Sequence, residues 1–566
     1  MAVQGHRLTA IADLAVPTRD DLIYIVNDPG GVPTSFRATV QAIIGGPEIL
    51  VAASDASALA TKNADYVCDG TADEVEIEAA IAALPAGGGR IRLSDGTFNI
   101  EDTIDLVDNM ELVGNVTTTI VCQGIANDFD PILLDRIDNV RVAQLRIDGN
   151  GQVGKHGVYL LSATNAVVER VTIHDCYHDG FAPGRAAGET VGCQNVTFSD
   201  CVAYDAREDG WDIEGVSQNI RMDRCTAYDC GNGVIVNGVE VILGQKTSDV
   251  TISQGYFYNN TYQGVMINSA ARVTVDSTLM TGNSPGLHVL TASDVCIVNC
   301  ECVENNTQGI LVSVATSRCT ISTCIASLNA NRGIEISSSN DIVVSDAIVN
   351  GNSTAASSYD ELVISGTSQR VIVHGCRFIT PDAGTRAIYW IRERDTADYN
   401  QIYDCSFIGT PTTGTVIKAG TGTHTRIRRN MGFIALGESR SDGGMLTAGV
   451  ANAIALAWHN PEAQDILIKK VVVYVTTVGG TVGSHLDVGI ADDAAGTNRG
   501  VEFFDDLLLN TGQVNDSSVA GDGGTQTKWV FCQDSASATD GWIVGQILDA
   551  NAANLVGRYY IEYEGR

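Results

Sequence analysis

The chain contains 566 residues and carries a formal net charge of -33 at pH 7, with a pI near 4.4. This charge argues against a nucleic-acid partner, whose phosphates would be repelled, and it predicts that acidic glycans bind only where a cation or an arginine patch reverses the field. The 15 cysteines are odd in number and indicate free thiols rather than a disulfide framework.

The first 45 residues predict a small β-hairpin module. Strand-like runs at 21–27 and 36–40 flank a segment that contains proline and glycine. Because a basic stretch followed by an apolar run is missing, neither a signal peptide nor membrane insertion is predicted. The module resembles the short segments by which phage tail proteins attach to a virion, and a local cap on the next domain is the alternative. Residues 46–64 are predicted to be a linker.

A short helix is predicted near residue 74, ahead of the repeats. Ile77, Ala80 and Ile81 recur at helical spacing, and Pro85 ends the helix. An amphipathic helix at this position is expected to cover the open apolar end of a repeat domain.

Residues 65–435 repeat one phrase, in which a turn residue and a glycine precede an apolar–any–apolar strand. Its clearest glycines are Gly157, Gly180, Gly210, Gly233, Gly264, Gly286, Gly309 and Gly333. Successive glycines are 23, 30, 23, 31, 22, 23 and 24 residues apart. With a second alternating strand in each repeat, a period in the twenties predicts an all-β, right-handed parallel β-helix. The two long intervals predict loops that project between Gly180 and Gly264.

Seven cysteines share one position in the repeat. They are Cys176, Cys201, Cys225, Cys300, Cys324, Cys376 and Cys405. Stacked coils would align them about 4.8 Å apart, which predicts a ladder of small buried thiols. A zinc site at Cys296, Cys300 and Cys302 is the alternative, although this spacing matches no standard zinc motif.

The start of the repeat domain has a distinctive sequence, with Asp69-Gly70 near one end and Gly96-Thr97-Phe98 near the other. This segment resembles the opening of pectate-lyase-like β-helix proteins, which include bacteriophage tailspikes and polysaccharide depolymerases. The resemblance implies a polysaccharide partner, a homotrimer, and a place in a virion tail or release by cell lysis. A cytoplasmic enzyme would equally lack an export signal.

The repeat stops after about residue 435. Residues 446–566 contain strand-like runs separated by turns rich in glycine, aspartate, asparagine and serine. This pattern predicts a C-terminal β-sandwich, which would serve trimerisation or carbohydrate binding.

Two adjacent coils hold the densest polar cluster in the chain. Asp179 and Asp209 each precede a repeat glycine and are expected about 5 Å apart, while Asp212 points outward from the next strand. Glycoside hydrolysis uses two carboxyl groups, one protonated and one ionised, about 5 to 9.5 Å apart. We therefore predict a hydrolase with these three catalytic residues. Ordinary turn formation is the competing explanation for Asp179 and Asp209.

Further residues are predicted to bind the substrate. They are Tyr159, Tyr177, His178, Arg185, Arg207, Glu214 and His288. Tyrosine rings stack on sugar rings, and arginines bind carboxylate or sulfate groups. Hydrolysis requires no cofactor, but Asp205 and Glu208 are candidate ligands for a Ca²⁺ ion because they supply hard oxygen atoms.

The segment 177–185 resembles the catalytic loop of alginate epimerases of β-helix fold, whose pattern is Gly-Phe-Asp-Pro-His-Glu. Ala182, Gly184 and Arg185 stand where that family has its Asp, His and Glu, so the resemblance implies that the acid and the imidazole are missing. A calcium-assisted lyase with His178 or Arg185 as base is the second hypothesis. A non-catalytic structural or receptor-binding tail protein is the third.

Overall fold

The computed structural model describes residues 22–27, 34–39 and 47–565, apart from 124–128, 152–153, 239–244, 356–357, 382–386, 414–415, 419–420, 432–438, 463, 479–483, 520–523, 526–528, 534–538 and 549–553. The chain forms two compact units, Met1–Thr278 and Leu279–Arg566. None of the described helices is long and apolar enough to cross a membrane.

The N-terminal hairpin is confirmed, because Leu22–Asn27 pairs antiparallel with Thr34–Thr39. Residues 46–64, predicted as a linker, instead contribute to the solenoid. Their strand Glu48–Ala52 pairs in parallel with Gly89–Leu93, and the helix Ala58–Asn63 follows it. The β-helix therefore starts earlier than the repeat pattern indicates.

The predicted capping helix spans Glu74–Ala82. Its apolar side chains Ile77, Ala80 and Ile81 are buried. Because the helix packs on the first strands of the unit, it covers apolar surface that has no preceding coil.

In each unit the strands that follow the repeat glycines form a parallel sheet, called sheet 1. In the first unit its strands are Ile104–Asp105, Ile132–Asp135, Val158–Leu161, Phe181–Gly184, Asp209–Ile213, Asn232–Asn237 and Val265–Asn268. In the second unit they are Leu287–Leu290, Ile310–Ser313, Ile334–Ser337, Leu362–Ser365, Ile391–Glu393 and Val416–Lys418. Within each unit, successive strands of this set pair in parallel one coil apart, as a parallel β-helix requires.

The remaining strands of each coil form the other faces of the helix. In the first unit they are Glu48–Ala52, Tyr66–Val67, Gly89–Leu93, Gly96–Ile100, Met110–Val113, Thr118–Cys122, Arg141–Asp148, Val167–His174, Gln194–Ser199, Val202–Tyr204, Gln218–Asp223, Thr226–Tyr228, Ser248–Ser253, Tyr256–Tyr258 and Ala271–Asp276. In the second unit they are Leu279–Thr281, Ser293–Val298, Glu301–Val303, Ser317–Ser322, Ile325–Ser327, Asn340–Ser345, Ile348–Asn350, Ile372–His374, Arg377–Ile379, Gln401–Tyr403, Ser406–Ile408 and Arg426–Arg428. The predicted right-handed parallel β-helix is thus confirmed.

The core of the first unit is built from inward residues that lie in register on successive strands of sheet 1. Val158, Phe181, Trp211, Val234 and Val265 follow one another in this register and are all fully buried. The Trp211 and Phe181 rings stack with their centroids 4.7 Å apart. The prediction that both rings face inward is confirmed.

The repeat glycines form a column in which adjacent backbones touch. A Cβ atom on Gly180 would lie 2.8 Å from the carbonyl oxygen of Gly210, and one on Gly210 would lie 2.6 Å from that of Gly233. A Cβ on Gly233 would lie 2.5 Å from the carbonyl oxygen of Gly264. Because a backbone oxygen cannot move aside, no side chain fits at these three positions.

The two long repeat intervals place their extra residues at one corner of the coil. Residues 185–193 and 238–247 both come directly after a strand of sheet 1. The loop 185–193 therefore begins at the end of the strand Phe181–Gly184, whereas most of the second predicted loop lies outside the described residues.

The cysteines are free thiols, and all except the partly exposed Cys296 are buried. Burial raises the pKa of Cys193 to about 12, so its thiol stays protonated at neutral pH. Among the described residues, Cys296, Cys300 and Cys302 do not form a group that could hold a metal ion. The burial of the ladder thiols is confirmed, although Gly255 and Ala347 take the cysteine position in intervening coils, so the ladder is interrupted. The zinc alternative is not supported.

The C-terminal part of the second unit is a β-sandwich, as predicted. One antiparallel sheet contains Ser439–Met445, Val556–Gly565, Ile466–Thr477, Val514–Asp516 and Val530–Cys532. The other contains Ile454–His459, Trp542–Ile547, His485–Ala491 and Phe504–Leu508. Trp458 and Phe504 from one sheet share a buried core with Tyr563 from the other. The role of this domain stays a prediction.

Candidate active site

The residues that precede sheet 1 form a column at one corner of the coils. The Asp179 Oδ1 atom accepts a hydrogen bond of 2.9 Å from the Asp209 amide. One coil later, Asp209 Oδ1 accepts bonds of 2.9 and 2.7 Å from the backbone amide and side-chain amide of Asn232. The predicted register of Asp179 and Asp209 is therefore confirmed. Each carboxylate thus links its own coil to the next one by accepting a bond from a backbone N–H, which is not the local bond of an ordinary turn-forming aspartate.

His156 occupies the same column one coil before Asp179. Its backbone amide and ring Nδ1 lie 3.1 and 2.8 Å from one oxygen of Asp130, and its Nε2 lies 3.5 Å from Asp179 Oδ2. A carboxylate at each ring nitrogen fixes the orientation of the imidazole. The sequence predicted that His156 shares this column, but it did not predict that His156 belongs to the site. No sequence motif indicates its contact with Asp130.

Asp212 points outward from sheet 1 between the buried residues Trp211 and Ile213. Burial raises the pKa of its carboxyl to about 8, and the negative charges of Glu214 and Asp209 add to this effect. Its Oδ1 atom is buried and has no hydrogen-bond partner among the described residues. The side chain is therefore mainly a neutral acid at pH 7.

The neighbouring carboxyl groups titrate differently. Burial raises the pKa of Asp209 only to about 6, because the two hydrogen bonds from Asn232 favour its ionised form. Burial raises the pKa of Asp179 well above its usual value, and the charges of Asp212 and Asp209 raise it further. At neutral pH the site thus presents a protonated Asp212 next to an ionised Asp209. An acid and a base of this kind are the pair that glycoside hydrolysis uses.

The raised pKa of Asp212 makes a prediction for stability. Its carboxyl pKa rises from 3.8 in the unfolded chain to about 8 in the folded protein, so the folded state binds the proton more tightly. The resulting stabilisation is complete below about pH 4 and is lost as the pH rises through about 8. As the pH rises through the window from about 4 to about 8, we expect the melting temperature of Asp212→Asn to fall less than that of the wild type. Scanning fluorimetry measures both melting temperatures.

The matched control is Asp200→Asn, since Arg224 lowers the pKa of the Asp200 carboxyl and keeps its titration below the window. That variant should follow the wild-type curve. Identical pH dependence in the wild type and Asp212→Asn would contradict a raised pKa.

Tyr159 lies on sheet 1 two coils before Asp212, with Ala182 between them in the register. Its ring stacks on His156 with the centroids 4.4 Å apart. Burial raises the pKa of the Tyr159 hydroxyl to about 12, with further contributions from nearby carboxylates that include Asp130 and Glu214. Because Ala182 is small, the sheet surface between the phenol and the Asp212 carboxyl carries only a methyl group.

Four of the predicted residues lie together beside the aspartate column. The Arg207 guanidinium lies 4.5 Å from the centroid of the Tyr177 ring, and that ring meets His178 edge to face. His178 Nδ1 lies 3.0 Å from Glu208 Oε2, and its ring stacks on His156 at 5.3 Å. Tyr177 and His178 are thus adjacent to the carboxylates, as predicted.

Arg185 and Glu214 lie at the far end of the same strands. Arg185 Nη1 donates a hydrogen bond of 3.1 Å to the Glu189 carbonyl oxygen. Glu214 lies beside Gly184, where a Cβ atom would be 3.5 Å from the Glu214 side chain. Its charge acts on Asp212, so Glu214 influences the titration of the proposed acid.

His288 belongs to the second unit. Its Nε2 lies 2.8 Å from the Ser313 hydroxyl, and burial lowers the pKa of the ring. This histidine is therefore neutral at pH 7, and its role in substrate binding stays a prediction.

The calcium candidates lie in different surroundings. Burial raises the pKa of Asp205, followed by the charges of Asp175 and Asp229, whereas Glu208 pairs with His178. Among the described residues, the groups that could hold a metal ion are Cys68 with Asp73 and Glu76, and Asp148 with His174 and Asp175. A Ca²⁺ ion held by Asp205 and Glu208 stays a prediction.

The loop that resembles alginate epimerases keeps its backbone scaffold. Phe181 is fully buried in the core, and Ala182 and Gly184 occupy the positions of the epimerase acid and imidazole. Neither residue can transfer a proton. Chemistry at this surface would therefore depend on Asp212 and the neighbouring coils.

Comparisons with known proteins agree with this architecture. Residues 98–243 and 236–378 match a family model described as a right handed beta helix region. The chain is 23% identical over 210 residues to the capsule K1-specific depolymerase of Klebsiella phage K64-1, covering 37% of this chain and 22% of that protein. It is 27% identical over 259 residues to the mannuronan C5-epimerase AlgE3 of Azotobacter vinelandii, covering 37% of this chain and 14% of that protein.

Among solved structures, tailspike protein 3 of bacteriophage CBA120 is similar with a TM-score of 0.48 and 12% identity, covering 71% of this chain and 64% of that chain. The chain spans less than a quarter of the length of the two curated relatives.

Proposed function

This chain is a right-handed parallel β-helix protein, and on that premise we propose that it binds a polysaccharide on the outward face of sheet 1 in its first unit and hydrolyses it. The observation that carries the proposal is the pair formed by Asp212 and Asp209, with pKa values near 8 and 6. Two carboxyl groups in opposite protonation states supply the proton for the leaving oxygen and the base or nucleophile for the anomeric carbon.

Each residue then has a definite role. Asp212 donates its proton to the glycosidic oxygen, and Asp209 activates water or attacks as the nucleophile. Asp179 is only 5% exposed and binds the Asp209 amide, so it positions Asp209 and does not touch substrate. Tyr159 and Tyr177 contact the sugar rings through their aromatic surfaces.

Polar residues around these rings would orient the chain of sugars. Arg185, Arg207 and Glu214 supply hydrogen bonds to hydroxyl or acidic groups. Relatives that act on capsule and on mannuronan support a polysaccharide as the ligand.

The test is an incubation of the protein with bacterial surface and algal polysaccharides. We expect new reducing ends without the ultraviolet absorbance of an unsaturated sugar, because hydrolysis forms no double bond. Asp209→Asn should abolish the new reducing ends. A rise in both signals would contradict hydrolysis, and binding without either signal would favour a non-catalytic tail protein.

A lyase or epimerase is the second candidate. The observation in its favour is His178, whose Nδ1 lies 3.0 Å from Glu208 Oε2 and whose side chain is 29% exposed. An imidazole oriented by a carboxylate can remove the proton next to a uronate carboxylate. A Ca²⁺ ion at Asp205 and Glu208 would acidify that proton.

The phage context is a proposal of the same kind. The N-terminal hairpin would attach the protein to a virion tail, and the sandwich would hold a homotrimer. A protein released by cell lysis could carry out the same reaction without attachment.

A further inference from the structure

A second polar site lies in the second unit, at residues that the sequence did not single out. Its arginine cluster consists of Arg332, Arg392 and Arg394 with the carboxylates of Glu335 and Asp360. Arg332 Nη1 lies 2.9 Å from Glu335 Oε2. Arg392 Nε and Arg394 Nη2 donate hydrogen bonds of 2.8 and 3.0 Å to the same atom, Asp360 Oδ2.

The charge of this cluster is opposite to that of the whole protein. Three guanidinium groups contact the carboxylates of Glu335 and Asp360, while the neighbouring buried carboxyls of Glu361 and Glu393 bind the Asn352 and Asn400 amides instead, in a chain with a formal net charge of -33. Asp360 is fully buried, so it is shielded from water and can neutralise only one of the two arginines it binds. The excess positive charge makes the cluster a local attractor for anions.

Several buried polar atoms here lack partners. Asp360 Oδ1, Arg332 Nε and Arg394 Nε are buried and make no hydrogen bond among the described residues. Leaving such atoms unpaired costs free energy, so a ligand that supplies an acceptor for the arginine N–H groups would be favoured. The three arginine side chains keep 14%, 19% and 30% exposure, which leaves them accessible from solvent.

Aromatic rings lie next to two of the guanidinium groups. Arg332 lies 5.2 Å from the ring centroid of Tyr359, and Arg392 lies 5.3 Å from that of Tyr389. Both tyrosines are partly exposed. Guanidinium groups beside tyrosine rings suit a ligand that joins an anionic group to the apolar face of a sugar.

We infer that the arginine cluster binds the anionic substituent of an acidic saccharide, a carboxylate or a sulfate ester. Arg332 and Arg394 bind the anion, the buried Asp360 carboxylate holds Arg392 and Arg394 in place, and Tyr359 and Tyr389 contact the ring. The saccharide part of this inference rests on the proposed function, which it deepens by assigning an acidic polymer as the ligand. The anion-binding part can be measured separately.

The experiment titrates the full chain with glucuronate, inorganic sulfate and glucose by calorimetry and by ligand-induced thermal shift. We expect glucuronate to bind at least about tenfold more tightly than glucose, since hydrogen bonds between charged groups are stronger than those between neutral groups. Sulfate that competes with glucuronate would assign the anion alone as the recognised group. Glucuronate binding that sulfate does not displace would assign the uronic acid.

The variants are Arg394→Gln and Arg332→Gln, with Arg394→Lys to retain the charge. The matched control is Arg370→Gln, which removes an exposed arginine paired with Asp341 in the same unit. We expect the two glutamine variants to lose the preference for glucuronate, the lysine variant to keep part of it, and the control to keep it fully. Melting curves identify any variant that fails to fold.

Equal binding of glucuronate and glucose, no binding of either anion, or glucuronate binding that survives both glutamine substitutions would overturn the inference. A protein that hydrolyses only neutral glycans would refute the acidic substrate class but retain the proposed hydrolase. Anion binding without hydrolysis would refute the hydrolase but retain the site.

Discussion

Replacing Asp212 by asparagine is expected to lower the rate of polysaccharide cleavage by about 10²–10⁴-fold, the contribution of a general acid. Asparagine keeps the shape of the protonated carboxyl but has no proton to give to the leaving oxygen. Because Asp212 is neutral at pH 7, the folded state loses no charge interaction on substitution. The rate is measured from reducing ends released from the glycan that the wild type cleaves, and a melting curve confirms folding.

The pH dependence of the wild type adds a second readout. Asp209 must be ionised and Asp212 protonated, so the rate should be highest between about pH 6 and pH 8. Because the two carboxyls interact, these limits belong to the pair. Asp200→Asn serves as the control and should cleave at the wild-type rate. Full activity in Asp212→Asn would exclude this residue as the acid.

Replacing Trp211 by alanine is expected to reduce the free energy of unfolding by about 3–5 kcal/mol, the usual cost of removing a large buried aromatic side chain. Trp211 is fully buried, stacks on Phe181 and meets Phe198 edge to face. The cavity lies directly beneath Asp212, so cleavage should fall together with stability. Urea denaturation followed by circular dichroism measures the effect.

Tyr262→Ala is the comparison for this substitution. Tyr262 is 58% exposed in the same unit, so its removal should change the free energy of unfolding by less than about 0.5 kcal/mol. If both variants lost the same amount of unfolding free energy, burial of Trp211 would not be the cause of its contribution to stability.

The fold could be predicted because each coil repeats the same local rule. Glycine followed by an apolar–any–apolar strand specifies both the turn and the inward face, as Trp211 and Phe181 show. The start of the solenoid could not be predicted from the sequence, because the strand Glu48–Ala52 lies before any recognisable repeat. Only its pairing with Gly89–Leu93 shows that it belongs to the β-helix.

The sequence predicted which residues of the candidate site lie in register on successive coils, but it did not predict which of their carboxyl groups are protonated. The column containing Asp179 and Asp209 follows from counting residues. The contrast between Asp209 and Asp212 depends on burial and on hydrogen bonds from Asn232, neither of which has a sequence signal. The arginine cluster was missed because Asp360, Arg392 and Arg394 meet where the repeat phrase has become faint.

The glycine column has a consequence for how such a protein can change over generations. A side chain at Gly210 would strike the backbone of the following coil, and no exchange of a neighbouring side chain can relieve that clash. Substitutions at these glycines should therefore be removed by selection in any lineage that keeps the fold. The segment 185–191 after sheet 1 has no such contact, since a Cβ atom on its Gly188 would meet nothing within 4 Å, so divergence in ligand preference should accumulate there.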